Sequence, residues 1–203
     1  MIEVEIKVRI SDPTIIRKKF EKNNGVYKIS LNHEDTYFNM PNGLRDFKKT
    51  DEALRVRKSV EFNKGNKSIK QKVNHYVTYK GKKIDKFTKT REELEIRIED
   101  TDRMKTLLKQ LGFQEVLTIK KERELYEFEF GNYQIEVLID YLPILDQHFV
   151  EVELLLPSTE KFEDSKEVLF DFLRLFDIRR EESIRESYLE LILNKIKGIE
   201  SAS

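Results

Sequence analysis

The chain opens with Met1-Ile2-Glu3-Val4-Glu5-Ile6-Lys7-Val8-Arg9-Ile10, and this stretch decides the fold. Side chains at alternate positions of a β-strand point to opposite sides of the sheet. The predicted strand therefore has one apolar face and one charged face, and the charged face carries Glu3, Glu5, Lys7 and Arg9. An ordinary solvated strand shows the same pattern, so the stretch alone does not distinguish a surface strand from a strand that lines a polar interior.

The same alternation of apolar and charged residues returns in three later stretches. Their charged members are Arg55 and Arg57, then Glu93, Glu95 and Arg97, and finally Glu151 and Glu153. Several strands with a charged face predict that these faces meet around a polar interior. An interior with both signs of charge suits a metal–polyphosphate complex, because carboxylates bind the cation while Arg and Lys bind the anion.

Charge is abundant but balanced over the whole chain. The 203 residues include 38 basic and 38 acidic side chains, so the formal net charge is zero although 37% of the residues are charged. The overall field therefore gives no reason to expect nucleic-acid or membrane partners. Anion recognition has to come from local clusters of basic residues.

Cysteine is absent, which excludes disulfides, a thiolate nucleophile and Cys-based metal sites. The three histidines show no ligand spacing. No secretory signal or long apolar run is visible, and we expect a soluble cytoplasmic protein.

Turn and cap residues divide the chain into strands and helices. Helices are predicted after Asp12-Pro13 and from Asp100-Thr101-Asp102, and again over 164–176 and 183–197. Residues 26–39 are predicted as strand, turn and strand, and Asn63-Lys64-Gly65-Asn66 as a loop. Further strands are predicted over 53–62, 69–80, 91–99, 115–130, 133–141 and 148–156.

The charged strand motif occurs once in each half of the chain. Glu3-Val4-Glu5-Ile6-Lys7 and Glu93-Leu94-Glu95-Ile96-Arg97 each precede a helix that opens near an aspartate, Asp12 and Asp102 respectively. This repeat predicts two pseudo-symmetric halves, about 1–90 and 91–200, which close one antiparallel barrel. No linker separates the halves, so residues 1–200 are predicted to form a single domain.

The order of the charged blocks resembles the CYTH family, also called triphosphate tunnel metalloenzymes. The resemblance starts with the Glu-x-Glu-x-Lys of Glu3, Glu5 and Lys7 and covers nearly the whole chain. The later matching blocks are His33–Phe38, Ala53–Arg57, Thr78–Lys82, Arg91–Glu95, Lys121-x-Arg123, Glu136 with Asp140, Glu151–Glu153 and Arg185–Leu191. A lone Glu-x-Glu-x-Lys is weak evidence, whereas this many blocks in one order are specific.

This resemblance implies an α+β fold, with an eight-stranded antiparallel tunnel barrel, a charged interior and flanking helices. It also implies hydrolysis or cyclisation of triphosphates with a divalent metal, Mg²⁺ or Mn²⁺. The implied metal ligands are Glu3, Glu5, Glu151 and Glu153, with Glu95, Glu136 and Asp140 nearby. The implied phosphate-binding residues are Lys7, Arg55, Arg57, Lys80, Lys121 and Arg123. Lys7, Glu5 and Lys80 are the predicted catalytic residues.

Several assignments have a structural alternative. Glu136 and Asp140 can equally anchor buried basic side chains, and Tyr188 can close a tunnel mouth or only pack the last helix. Lys80 has possible substitutes in Lys82 and Lys83. The Lys-rich loop 80–89 is either a mobile lid that draws in polyanions or a solvated loop.

Three functions agree with these residues. The first is a metal-dependent triphosphatase acting on inorganic tripolyphosphate, and also on nucleoside or thiamine triphosphates. The second is a class IV adenylyl cyclase that converts ATP to cyclic AMP and pyrophosphate. The third is a polyphosphate- or nucleotide-binding module without turnover. The expected partner is a small triphosphate, and exposed strand edges are compatible with a homodimer.

Overall fold

The computed structural model describes residues 2–63, 71–85, 88–156 and 162–200. Its strands are β1 Ile2–Ile10, β2 Val26–Asn39, β3 Ala53–Phe62, β4 Lys72–Lys80, β5 Arg91–Ile98, β6 Gln114–Phe130, β7 Tyr133–Leu142 and β8 Gln147–Leu156. Its α-helices are α1 Pro13–Lys22, α2 Phe47–Thr50, α3 Thr101–Gln110, α4 Phe162–Arg174 and α5 Tyr188–Glu200. All strands pair antiparallel and close a barrel in the order β1-β5-β4-β3-β2-β6-β7-β8. The predicted α+β fold, an eight-stranded barrel with flanking helices, is confirmed.

The apolar face of β1 lies outside the barrel. Val4, Ile6 and Val8 are buried in a core shared with Phe20 of α1 and Phe172 of α4. The opposite, charged face of the same strand therefore points into the barrel. Burial of the outer face by helices is what turns the charged residues inward.

Two further apolar clusters complete the packing. Leu108 of α3 packs on Phe38 and Val56, and so covers the outside of β2 and β3. Ile192 of α5 packs with Phe149 and other core side chains, among them Leu142 and Tyr188. The last helix is thus fixed against side chains from β7 and β8.

Asp12 and Asp100 cap the helices that follow the two charged strands. Asp12 Oδ1 accepts the Thr14 backbone N–H at 2.7 Å, and Asp100 Oδ1 accepts that of Asp102 at 2.8 Å. The second N-cap is therefore Asp100, and Asp102, which the repeat pairs with Asp12, lies in the first turn of α3. After α1, a Cβ on Gly25 would lie 2.4 Å from the Phe128 ring, so only glycine fits there.

Two predicted elements are wrong. Residues 26–39 form one continuous strand with a register shift between Tyr27 and Ile29, and no turn divides it. The last helix begins at Tyr188 and not at residue 183. Residues 183–184 lie along β1 instead: Ser183 bridges Val8, and the Ile184 N–H donates to the Lys7 carbonyl at 2.7 Å. The predicted loop 63–66 and the start of the predicted strand 69–80 lie largely outside the described residues.

The seam between β1 and β5 is short. β1 pairs with β8 along its whole length but with β5 only through Ile2–Glu92 and Glu3–Arg91. The Lys89 N–H then donates to the Glu5 carbonyl at 2.9 Å, so the segment before β5 continues along β1.

If β1, β2, β3 and β4 are exchanged with β5, β6, β7 and β8 respectively, the same pairs of strands remain neighbours in the barrel. This agrees with two related halves. The single domain with two pseudo-symmetric halves stays a prediction. None of the helices in the described ranges is long and apolar enough to cross a membrane.

Candidate active site

The barrel encloses a cavity of about 910 Å³ whose walls carry both signs of charge. Its lining includes most of the residues predicted from the sequence. These are the acidic residues Glu3, Glu5, Glu95, Glu151 and Glu153, and the basic residues Arg55, Arg57, Lys80, Lys121 and Arg123. The alternating patterns of separate strands therefore converge on one space.

Glu3, Glu5 and Glu153 form a compact acidic group. One oxygen from each carboxylate lies within 4.8 Å of the others. Glu5 and Glu153 are opposite each other in the β1–β8 pairing. Burial and the charge of Glu151 raise the pKa of Glu5 to about 8, and burial and the charge of Glu3 raise the pKa of Glu153 well above its usual range. These crowded hard oxygen donors fit a divalent cation such as Mg²⁺ or Mn²⁺.

Glu151, which the resemblance also implies as a metal ligand, lies instead between basic side chains. Its carboxylate accepts hydrogen bonds from Lys89 Nζ at 2.8 Å and from Arg123 Nη2. Burial would raise the pKa of Glu151, but the charges of Lys89 and Arg123 outweigh it and hold this pKa well below its usual range. The structure thus places Glu151 beside the acidic group and not within it.

Asp140 anchors basic residues from the neighbouring strand. It is fully buried and accepts two hydrogen bonds from Arg123, both at 2.6 Å, one from Lys121 Nζ at 3.1 Å and one from the Tyr188 hydroxyl at 2.9 Å. Glu136 is exposed on β7, opposite Glu127 and Glu153. The structure brings neither Asp140 nor Glu136 into the acidic group.

Glu95, the remaining predicted metal ligand, lies among the basic side chains that line the cavity, which we call the basic wall. These are Arg55, Arg57, Lys80, Lys121 and Arg123. It accepts a hydrogen bond from Thr78 Oγ1 at 2.8 Å and lies 3.4 Å from Arg55 Nη2. Arg55 Nη2 also donates to Thr78 at 3.0 Å. The buried Arg55 Nε has no hydrogen-bond partner within the part of the chain that the structure describes. Glu95 therefore orients the Arg55 guanidinium through Nη2.

Asp35 holds Arg57 by a bidentate pair, with N–O distances of 2.6 and 2.7 Å. Burial would raise the pKa of Asp35, but the charges of Arg57 and Arg55 outweigh it and lower this pKa. Lys80 pairs with Glu93 on the adjacent strand. Each of these cavity-lining basic side chains is thus positioned by a carboxylate next to it.

Lys7 lies beneath the last helix and is fully buried. The Tyr188 ring covers its ammonium at 4.3 Å, and the ammonium donates to the Glu186 carbonyl. Burial and the charge of Lys89 lower the pKa of Lys7 to about 7. Contact between Lys7 and a bound phosphate therefore requires displacement of Tyr188, which here both packs α5 and covers the charged interior.

Lys89 is a site residue that the sequence patterns did not single out. It lines the cavity and donates to both Glu5 and Glu151. A signal was present, because the alternation of β5 extends backwards from Glu93 through Arg91 to Lys89. A contact between Asp35 and a basic residue of the interior was left open by the sequence, and the structure identifies Arg57 as the partner; no periodicity specifies such pairing between strands.

The charged loop 80–89 is attached at several points in its described part. Lys83 Nζ lies 2.5 Å from Asp51 and 3.1 Å from Glu190 of α5. Arg185 Nε donates to the Asp85 carbonyl at 2.9 Å. The loop thus connects α2 to the start of α5, and its action as a lid stays a prediction.

Comparison with known proteins places this barrel in a family. The CYTH domain model matches residues 1–188. A Methanocaldococcus jannaschii protein, named as a candidate adenylate cyclase, is 40% identical over 192 residues, which cover 94% of this chain and 98% of the relative. The solved PH1819 protein of Pyrococcus horikoshii OT3 is 36% identical with a TM-score of 0.79, and the match covers 95% of this chain and 99% of that chain.

A more distant structure shares the fold. It is a Hippeastrum protein with 16% identity and a TM-score of 0.62, and the match covers 95% of this chain and 96% of that chain. It is described as a candidate adenylyl cyclase with a dominant triphosphatase activity. Members of the CYTH family act on triphosphates and depend on metal ions. The match over nearly the whole length, together with a charged tunnel built as the sequence predicts, shows that this chain belongs to the CYTH family.

Proposed function

We propose that this protein is a divalent-metal-dependent triphosphatase that hydrolyses inorganic tripolyphosphate, with nucleoside or thiamine triphosphates as further substrates. The observation that carries the proposal is the cavity itself, in which the acidic group Glu3, Glu5 and Glu153 faces basic side chains such as Arg55 and Arg123. A metal–triphosphate complex needs carboxylates for the cation and basic side chains for the phosphates in the same cavity.

Hydrolysis of a phosphoanhydride asks a protein mainly for positioning and charge stabilisation. Arg123, held by Asp140 and Glu151, and Arg57, held by Asp35, present guanidinium groups in fixed orientations. Arg55, which also lines the cavity, supplies a further guanidinium for the phosphate chain. Glu3, Glu5 and Glu153 would hold a divalent cation, which would act as a Lewis acid and lower the pKa of a water molecule.

A class IV adenylyl cyclase is the second candidate. It is favoured by the name of the Methanocaldococcus jannaschii relative and by the apolar part of the cavity, where Phe47, Val116 and Leu193 are available to an organic group. Cyclisation uses the ribose 3′-hydroxyl on the α-phosphorus, whereas hydrolysis uses water on the terminal phosphorus. The Hippeastrum protein supports placing hydrolysis before cyclisation, because in that protein the triphosphatase activity dominates.

A binding module without turnover is less well supported. Anion binding alone needs the basic wall but not the carboxylates of Glu3, Glu5 and Glu153, which are costly to bury together. Binding of tripolyphosphate that is equally tight with EDTA would favour this module.

Product analysis tests the three functions directly. Purified protein with Mg²⁺ or Mn²⁺ is offered tripolyphosphate and ATP in parallel. We expect orthophosphate from tripolyphosphate and no cyclic AMP from ATP. Cyclic AMP with pyrophosphate would establish the cyclase instead, and no turnover of either substrate across pH and temperature would leave the binding module.

Cytoplasmic location, the absence of nucleic-acid and membrane partners, and a homodimer stay predictions. Size-exclusion chromatography with light scattering gives the oligomeric state.

A further inference from the structure

Lys89 occupies the junction between the acidic group and the basic wall. Its ammonium donates to Glu5 Oε1 and, at 2.8 Å, to Glu151 Oε1, and only 9% of its side chain is exposed. The charge of Lys89 also contributes to the lowered pKa of Lys7. A buried lysine that bonds two carboxylates is well placed to neutralise them.

The backbone that carries Lys89 is fixed on both sides. The Lys89 N–H donates to the Glu5 carbonyl at 2.9 Å. The buried hydroxyls of Thr88 and Thr90 lie 2.7 Å apart, and Thr88 is also bonded to Asp85. The flexible four-carbon side chain is therefore the part of Lys89 that is free to redirect its charge.

Glu5 is shared between two arrangements. It belongs to the acidic group with Glu3 and Glu153, and its Oε1 accepts the Lys89 ammonium. A divalent cation that binds the Glu5 carboxylate competes with the Lys89 ammonium for its negative charge, because the two positive charges repel each other at close range in a buried site. Cation binding at Glu5 therefore weakens the ion pair between Glu5 and Lys89.

We propose that Lys89 is a tethered counter-ion, which competes with the divalent cation for Glu5 and turns to the phosphate oxygens of the substrate when the cation binds. This inference rests on the proposed function for the identity of the substrate. It couples the two ligands: cation binding releases Lys89 to the phosphates, and by thermodynamic reciprocity phosphate binding makes Glu5 more available to the cation.

The first test measures Mn²⁺ affinity without substrate, by electron paramagnetic resonance of free Mn²⁺. Lys89→Met keeps most of the side-chain volume and removes the charge, so we expect about tenfold tighter Mn²⁺ binding. Lys121→Met is the charge-matched comparison, since Lys121 is equally buried but bonds Asp140, and it should change Mn²⁺ affinity much less. The exposed Lys82→Met is the surface control. Unchanged or weaker Mn²⁺ binding by Lys89→Met would overturn the proposal.

The second test measures binding of imidotriphosphate, a tripolyphosphate analogue, by calorimetry with EDTA and at a fixed free Mn²⁺ concentration. We expect Lys89→Met to lose much more affinity with Mn²⁺ than with EDTA, because Lys89 reaches the phosphates only after it leaves Glu5. An equal loss in both conditions would mean a purely structural lysine, and would contradict the proposal.

A folding defect does not leave the proposal untested. If Lys89→Met fails to fold, Lys89→Arg is used, and its planar guanidinium should bind Glu5 and Glu151 more firmly and weaken Mn²⁺ affinity. Mn²⁺ binding by Lys89→Arg as tight as that of the wild type would contradict the competition.

Both tests measure binding and not turnover. The expected binding pattern without orthophosphate release would therefore refute the proposed function alone, and turnover without this pattern would refute the inference alone.

Discussion

Glu5 is the residue on which the acidic group, Lys89 and Glu151 meet. Its place on β1 follows from the alternation at the start of the chain, but its partners do not. Apart from Glu3, which lies on the same strand, they come from β8 and from the segment before β5, which lie far away in sequence. The function of the site should therefore be especially sensitive to this one carboxylate.

Glu5→Gln should abolish most of the metal-dependent turnover. The amide keeps the shape of the side chain but loses the negative charge that a divalent cation requires, so we expect at least about a hundredfold fall in orthophosphate release from tripolyphosphate. Glu92→Gln, an exposed change on β5, is the control. Full metal-dependent turnover by Glu5→Gln would show that Glu5 does not hold the metal.

Asp35→Asn should destabilise the fold by about 3 kcal/mol, because it leaves Arg57 and Arg55 buried without their shared carboxylate. Asp35 has a lowered pKa in the folded protein, so its stabilisation is present above the unfolded value near 3.8 and is lost as the pH falls below it. Urea unfolding at neutral pH measures the loss. Glu34→Gln, on the outer face of the same strand, should change the free energy of unfolding by less than about 1 kcal/mol.

At the scale of the elements, β7 orients the basic side chains of β6 through hydrogen bonds. Asp140 of β7 accepts hydrogen bonds from Arg123 and Lys121 of β6 and from Tyr188 of α5. Two strands and the last helix are therefore connected through one buried carboxylate.

Asp140→Asn should raise the KM for tripolyphosphate about tenfold or more, because Arg123 and Lys121 lose their fixed orientation. Mn²⁺ affinity should change little, since Asp140 is not in the acidic group. Steady-state kinetics and Mn²⁺ titration measure the two effects, with the exposed Glu122→Gln of β6 as control. A large loss of Mn²⁺ affinity with an unchanged KM would restore Asp140 as a metal ligand.

The segment 81–85 depends on Lys83 for its attachment to Asp51 and Glu190. Lys83→Met should make this segment more sensitive to a protease, because it loses a buried tie to both α2 and α5. Limited proteolysis followed by mass spectrometry locates the cuts, and Lys82→Met is the control. Protection by tripolyphosphate with Mg²⁺ in the wild type would support a lid, whereas unchanged cleavage of the wild type would contradict it.

Periodicity predicts the strands well because a barrel with a polar interior and an apolar exterior imposes strict alternation on each strand. It fails at residues 26–39, where the polar His33-Glu34-Asp35 has the composition of a turn. His33 and Asp35 are buried, and the strand is continuous. It also fails at residues 183–184, whose pairing with β1 depends on a distant strand and not on local sequence.

The candidate site, like the fold, is predicted only in part by the sequence. Residue type and alternation predict which side chains enter the cavity. They do not predict that Glu3, Glu5 and Glu153 group together while Glu151 and Asp140 pair with Arg123. Register between strands and the choice of ion-pair partners decide that difference, and neither is encoded in the spacing of one strand.

At the scale of the whole molecule, the net charge is zero but the charges are sorted, with a dense mixed cluster inside the barrel. The folded protein holds protons that the unfolded chain would release, because the pKa of Glu5 is raised from 4.5 to about 8 and that of Glu153 is raised as well. Stability without a divalent cation should therefore depend on pH.

With EDTA present, the raised pKa values of Glu5 and Glu153 should lower the free energy of unfolding as the pH rises from about 4.5 to about 7, because the folded state keeps protons there that the unfolded state has lost. The lowered pKa values of His33 and His148 act in the opposite direction over the same range. Above about pH 7 the lowered pKa of Lys7 also acts in the opposite direction. At each pH, the free energy of unfolding of Glu5→Gln is subtracted from that of the wild type. The difference isolates the contribution of Glu5, which should decline up to about pH 8. Thermal or urea unfolding measures it, and a pH-independent difference would contradict the raised pKa. Mn²⁺ should stabilise the wild type more at about pH 8 than at about pH 5.

The pairing of β1 with β8 sets the time at which this protein can complete its fold. β1, which precedes the other barrel strands in the chain, finds its full-length partner only when β8 has been made. Until then Val4, Ile6 and Val8 lack the β8 residues that bury them, and the remaining strands cannot close the ring. Contacts between the two ends of a chain form slowly because their loop-closure entropy is lost before the contacts are gained. The nascent chain is therefore exposed to misassociation through β1 until synthesis has passed residue 156, and the charged cavity forms only when β8 pairs with β1.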